Sequence, residues 1–113
     1  MSAYRLQQIP TFSRQAKRLL KKYVSFKDDL GTLAASLISS PHQGTPLGKD
    51  CYKIRLAIAS ENRGKSGGAR VVTCGKVVGE TVYLRAVFDK SDRENLAEGD
   101  LDALLAEAGL TGE

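Results

Sequence analysis

The chain has no tryptophan, one histidine, one methionine, two cysteines and three prolines among its 113 residues. Aromatic residues make up only 6% of it, too few for a single-strand binder that stacks successive bases on ring platforms. No stretch approaches the roughly 20 apolar residues that cross a bilayer, and residues 1–10 hold no apolar run of the secretory type. A cytoplasmic location and no membrane partner are therefore expected. Two cysteines and one histidine, in no ligand spacing, cannot complete a zinc shell, so neither a metal nor a cofactor is expected. Cys51 and Cys74 have no positioned histidine base to make a thiol nucleophile, and they read as reduced, mostly buried thiols. His42 stands alone in a Pro/Gly loop and reads as solvated, which counts against a nuclease built on two histidines. The segment Gly64-Lys65-Ser66 lacks the earlier glycine of a phosphate-binding P-loop.

What the chain does have is positive charge, unevenly placed. Residues 1–90 carry 16 lysines and arginines against 6 acids, a net of +10, whereas residues 91–113 carry one arginine against 7 acids, a net of −6. A basic body with an acidic tail points to a polyanionic partner for the body. At this length one domain, residues 1–113, is expected.

Hydrophobic periodicity places the elements. Residues 4–9 read as a short strand. Thr11 to about Tyr23 reads as an amphipathic helix with Thr11 as N-cap. Its apolar face is Phe12, Ala16, Leu19, Leu20 and Tyr23, and Arg14, Lys17, Arg18, Lys21 and Lys22 make the other face basic. Ser25 with Asp28 reads as a capping box opening a second helix. The stripe of that helix is Leu30, Leu33, Ala34, Leu37 and Ile38, and the tight connection folds the pair into a hairpin. Residues 39–48 read as a loop.

The period then changes to two. Tyr52, Ile54, Leu56 and Ile58 point one way, while Lys53, Arg55 and Ala57 point the other. A Gly-rich basic loop (59–68) leads to a strand over Ala69 to Cys74, and a last strand covers Thr81 to Phe88. Ser91 with Glu94 offers a further capping box, and a helix from about Glu98 to Ala108 stops at Gly109. The order β, α, α, β, β, β, α predicts an α+β fold. A helical hairpin packs on one face of a twisted, mainly antiparallel sheet of about four strands, with a C-terminal helix.

The other sheet face is expected to stay partly open. Lys53 and Arg55 share it, and Arg70 and Arg85 on the next two strands extend the patch. Cations on adjacent strands grip phosphates, and arginine offers a planar fork. Arg63 and Lys65 in the loop, with Lys90 and Arg93 after the last strand, are candidate contacts to an RNA backbone. Plain solvation of an open sheet face is the competing reading. Asp89 and Lys90 close the last strand, pairing with each other at the surface or orienting a substrate group.

The stretch DCYKIRLAIAS, then GKSGGARVV, then VYLRAVFDKSDRENLA, resembles RelE/HigB-type toxins of bacterial type II toxin–antitoxin modules. The preceding helical hairpin fits as well, and the likeness spans roughly residues 10–105. The resemblance implies a small toxin that enters the ribosomal A site and cuts mRNA there without a metal. The 2′-hydroxyl attacks the adjacent phosphate to leave a 2′,3′-cyclic phosphate. By the same resemblance Lys53, Arg55 and Arg70 are catalytic, and a cognate antitoxin silences the protein. Lys53 would assist the attacking oxygen, and the two arginines would neutralise the phosphate. Where some members carry a tyrosine and a further arginine, this chain has Ser91 and Ala97, which leaves Lys90 and Arg93 as the substitutes for the proton donor to the leaving oxygen. A gyrase poison of the ParE type and an inactive, antitoxin-binding homologue are the alternatives.

Overall fold

In the computed structural model the described residues are 5–61, 67–76, 81–92 and 95–107. The elements run β1 (Arg5–Gln8), α1 (Pro10–Lys22), α2 (Phe26–Ser39), β2 (Thr45–Gly48), β3 (Cys51–Leu56), β4 (Ala69–Lys76), β5 (Thr81–Asp89) and α3 (Asp100–Ala106). They form one sheet in the order β1-β5-β4-β3-β2. β3, β4 and β5 make the expected antiparallel meander, β2 adds an antiparallel edge, and β1 lies parallel to β5.

The sheet has five strands rather than about four. The extra one, β2, falls in the segment read as a loop, because Pro46 and Gly48 mask its pattern. It pairs Thr45 with Lys53, and its register slips between Pro46 and Gly48.

Helix α1 starts one residue earlier than its sequence suggests. Pro10, whose fixed φ and missing N–H suit the first turn, takes that position, and Ile9 is the cap residue. Thr11 does not cap its own helix: its N–H and hydroxyl both donate to the Glu107 carboxylate, at 2.9 and 2.5 Å. Ser25 precedes α2 but makes no capping bond. Its hydroxyl instead joins Asp29 and Ser60, which ties α2 to the turn after β3.

Both helices pack on the face carrying Ile54, Leu56, Val71 and Val87. Phe12, Phe26 and Leu37 are fully buried there, among Ile9, Ala16, Leu19 and Leu33. Burying such side chains stabilises by about 1.5–3 kcal/mol each.

Two readings from the sequence are corrected. Cys51 and Cys74 are buried as expected, but they are not free thiols. They sit directly opposite each other on β3 and β4 and are joined as a disulfide. Asp89 does not pair with Lys90 at the surface. Only 2% exposed, it accepts hydrogen bonds from the Tyr23 hydroxyl at 2.6 Å and Lys22 Nζ at 3.0 Å, and from the N–H and hydroxyl of Ser91. This cluster pins the C-terminal end of α1 to the end of β5. Burial by itself would raise the Asp89 pKa, but the bonds from Tyr23, Ser91 and Lys22 outweigh it and hold the carboxyl well below the usual carboxylate range.

A disulfide closing a loop of 23 residues contributes about 3 kcal/mol by restricting the unfolded chain. Denaturant unfolding with and without a reductant should differ by that amount, and superimposed curves would contradict it. Asp89 supplies a second check. Because its folded pKa lies below the ordinary 3.8, its stabilisation is complete above that value and is lost as pH falls further. Asp89→Asn should therefore lower the melting temperature at pH 7 and narrow its gap to the wild type as pH drops below about 4.

Candidate nucleic-acid interface

The strand register decides which cations meet. Residues directly opposite on neighbouring strands share a face. Arg55 pairs with Arg70, Lys53 with Val72, and across the next ladder Arg70 with Phe88 and Val72 with Ala86. Lys53, Arg55 and Arg70 therefore lie on one face, opposite the helical hairpin. Two like charges placed directly across a ladder are destabilising.

The three cations differ in setting. Arg55 is exposed and Lys53 half-buried. Arg70 is only 1% exposed, and its guanidinium donates to the carbonyls of Gly67 and Ala69 at 3.2 and 3.1 Å. The chain just before it is shaped by Gly68, whose φ of +79° favours glycine. A Cβ at Gly68 would collide with the Leu56 carbonyl oxygen. That glycine lets the start of β4 close on the end of β3, where Arg55 and Arg70 meet.

The face is less open than its sequence suggests. Arg70, Val72, Ala86 and Phe88 are all buried, and the acidic C-terminal segment folds back beside them. Leu104 is buried in the core cluster, with Leu96 and Leu101 packed against it. These leucines need cover, and the sheet face offers it. Charge complements the packing: Lys49 pairs with Asp102, and Lys53 Nζ donates to Asn95 Oδ1.

Arg85 is not brought into the cation group. It sits at a slip in the β4–β5 register and is 1% exposed. Its guanidinium caps α3, donating to the carbonyls of Leu104 at 2.9 Å and Glu107 at 3.2 Å. Cations at a helix C-terminus satisfy orphan carbonyls and complement the dipole. Burial lowers the Arg85 pKa from its ordinary value, offset in part by Tyr83 and Glu107. Its Nε has no hydrogen-bond partner among the described residues. The Glu107 carboxyl, in turn, is held below its ordinary pKa mainly by the Thr11 hydroxyl. The end of the C-terminal helix is thus clasped between Arg85 and the start of α1.

Lys90 is half-buried at the end of β5, and its N–H donates to the Gly68 carbonyl at 3.0 Å. Arg63, Lys65 and Arg93, with Glu94 of the expected capping box, lie outside the described residues. His42 is exposed, 5.6 Å from the Tyr52 ring. Sequence reasoning missed Asn95, because an amide in a polar turn carries no periodic signal. Among the described residues no group of three or more His, Cys, Asp or Glu is placed to hold a metal, and no helix is long and apolar enough to cross a membrane.

A helical hairpin on one face of a five-stranded sheet and a cluster of cations on the other define a small α+β protein built around a basic sheet face. The chain belongs to the RelE toxin family: the model of the RelE toxin of the RelE/RelB toxin–antitoxin system matches residues 9–112. It is thus a toxin of the toxin–antitoxin type. Among solved structures it is similar to a mutant of E. coli toxin RelE in the free state, with 22% identity over 94% of each chain and a TM-score of 0.55. At that identity the likeness is one of fold. No curated protein sequence matches the chain.

If Arg85 holds α3 as described, Arg85→Met should cost about 2–4 kcal/mol, since it orphans buried carbonyls. Hydrogen exchange should show α3 losing protection before β3 and β4. Uniform loss across the sheet would contradict a role confined to the helix.

Proposed function

We propose that this toxin is a ribosome-dependent mRNA endonuclease that works without a metal, in the cytoplasm, and that Lys53, Arg55 and Arg70 carry the cleavage. The observation that supports this reading best is the Arg55–Arg70 pair, like charges set face to face with Lys53 two residues along. A phosphate bridging the two guanidiniums turns their repulsion into attraction.

The chemistry follows from those groups. The ribose 2′-hydroxyl loses its proton and attacks the adjacent phosphorus. The bond to O5′ breaks, O5′ takes up a proton, and the products are a 2′,3′-cyclic phosphate and a 5′-hydroxyl. Negative charge builds on the phosphoryl oxygens in the transition state. Arg55 and Arg70, set opposite each other by the ladder, stabilise it there. Lys53 stabilises the attacking oxygen as it loses its proton. Lys90 at the end of β5, with Arg63, Lys65 and Arg93, contacts the RNA backbone.

The silencing partner is a cognate antitoxin. It covers the cationic face or displaces the acidic C-terminal helix that lies beside it.

In cells expressing the toxin, primer extension on mRNA should show cuts in phase with codons. Lys53→Ala, Arg55→Ala and Arg70→Ala should each reduce the cuts about a hundredfold, the usual loss on removing one transition-state donor. Growth arrest with a DNA-damage response and intact mRNA would instead favour a gyrase poison. Arrest that persists in a folded double variant lacking Lys53 and Arg70 would sink the assignment.

A further inference from the structure

The tail is acidic, with 7 acids and one base over residues 91–113, yet Asn95, a neutral amide, is among the groups that meet Lys53. Lys53 Nζ donates to Asn95 Oδ1 across the width of β4. By contrast Lys49, which precedes β3 and lies outside the cation group, is met by a carboxylate, that of Asp102. We propose that Asn95 is a positioning residue for Lys53, orienting its ammonium through a bond that itself adds no charge. The proposal rests on the reading that Lys53 acts in RNA cleavage.

The placement of Asn95 is built, residue by residue. At the end of β5 the buried Asp89 carboxylate accepts from the N–H and hydroxyl of Ser91, and the Asp92 N–H donates to the Asp89 carbonyl at 2.9 Å. These bonds turn the chain. Beyond Asn95, Leu96 packs against the core, and Ala97 and Asp100 exchange hydrogen bonds at 2.9 and 3.0 Å. Asn95 thus directly precedes an anchored segment, although its own side chain is exposed.

A lysine needs such a partner. Its four-carbon stem is flexible, and its ammonium is a point charge with no preferred direction. Catalysis depends on holding a reacting group in one geometry, and small misplacements are costly. An amide oxygen accepts from Nζ and adds no net charge. A carboxylate at the same point would hold Nζ as well, but it would cancel the charge an incoming phosphate needs and repel that phosphate too. The three states, amide, carboxylate and nothing, separate orientation from charge.

The test uses the full-length toxin in all three states. Nitrogen NMR of the lysine ammonium groups should show an ordered, slowly exchanging Lys53 signal in the wild type. Asn95→Ala should lose it and Asn95→Asp should keep it. In a ribosome-bound mRNA cleavage assay, Asn95→Ala should lower kcat about tenfold, with KM and melting temperature unchanged. Asn95→Asp should lower kcat at least as far and also raise KM. A Lys53 signal unchanged in Asn95→Ala would overturn the proposal, as would wild-type cleavage by either variant. A drop in melting temperature matching the loss of activity would assign Asn95 a merely structural role and also overturn it. Full cleavage by Lys53→Ala would instead bring down the assignment of Lys53 itself. The NMR comparison does not depend on cleavage and tells the two failures apart.

Discussion

Everything on the working face depends on one constraint, the register that sets Arg55 opposite Arg70 across β3 and β4. That register is fixed because the same two strands bury Ile54, Leu56 and Val71 against the helical hairpin on the reverse face. A one-residue slip of register would move every one of those side chains to the wrong side. The apolar face therefore sets the register, and the register sets the charge pair. Two further constraints lock the same ladder. The Cys51–Cys74 disulfide ties one end, and Gly68 permits the close approach at the other.

The acidic tail solves a second problem. A cationic sheet face with apolar residues between the charges has to be covered in part. Leu96, Leu101 and Leu104 cover the apolar share, and Arg85 and Thr11 hold the far end of α3. The tail leaves Arg55 exposed and meets Lys53 with an amide. Lys49, outside the cation group, is met by the Asp102 carboxylate, and Arg85 serves the helix terminus. A toxin that binds RNA on this face and an antitoxin that silences it must both contend with the same segment.

Much of this was legible in residue patterns. Alternation over CYKIRLAI separated the core set of β3 from Lys53 and Arg55, because a half-buried strand must alternate. The helical hairpin followed from its apolar stripes. Other features were hidden for physical reasons. β2 carries Pro46 and Gly48, which read as loop punctuation, and its pairing comes from β3 rather than from its own propensity. Thr11 and Ser25 looked like caps, but both hydroxyls serve tertiary partners, Glu107 and Asp29 with Ser60. The disulfide needed the β3–β4 register, which no cysteine spacing reveals. Arg85 alternates like a surface cation, yet the register slip beside it turns it toward α3. The Asp89 cluster joins residues separated by 66 and 67 positions, beyond the reach of any local pattern.

The central claim, that the Arg55–Arg70 pair with Lys53 cleaves RNA by internal attack of the 2′-hydroxyl, is tested most directly by the chemistry of the product ends. Purified toxin would be added to ribosomes carrying a defined mRNA in the presence of a chelator, and the fragments sequenced with end-specific ligation. The account predicts 2′,3′-cyclic phosphates facing 5′-hydroxyls at codon-phased positions in the ribosomal A site, with the chelator having no effect. Intact mRNA, or fragments bearing 5′-phosphates, would contradict it.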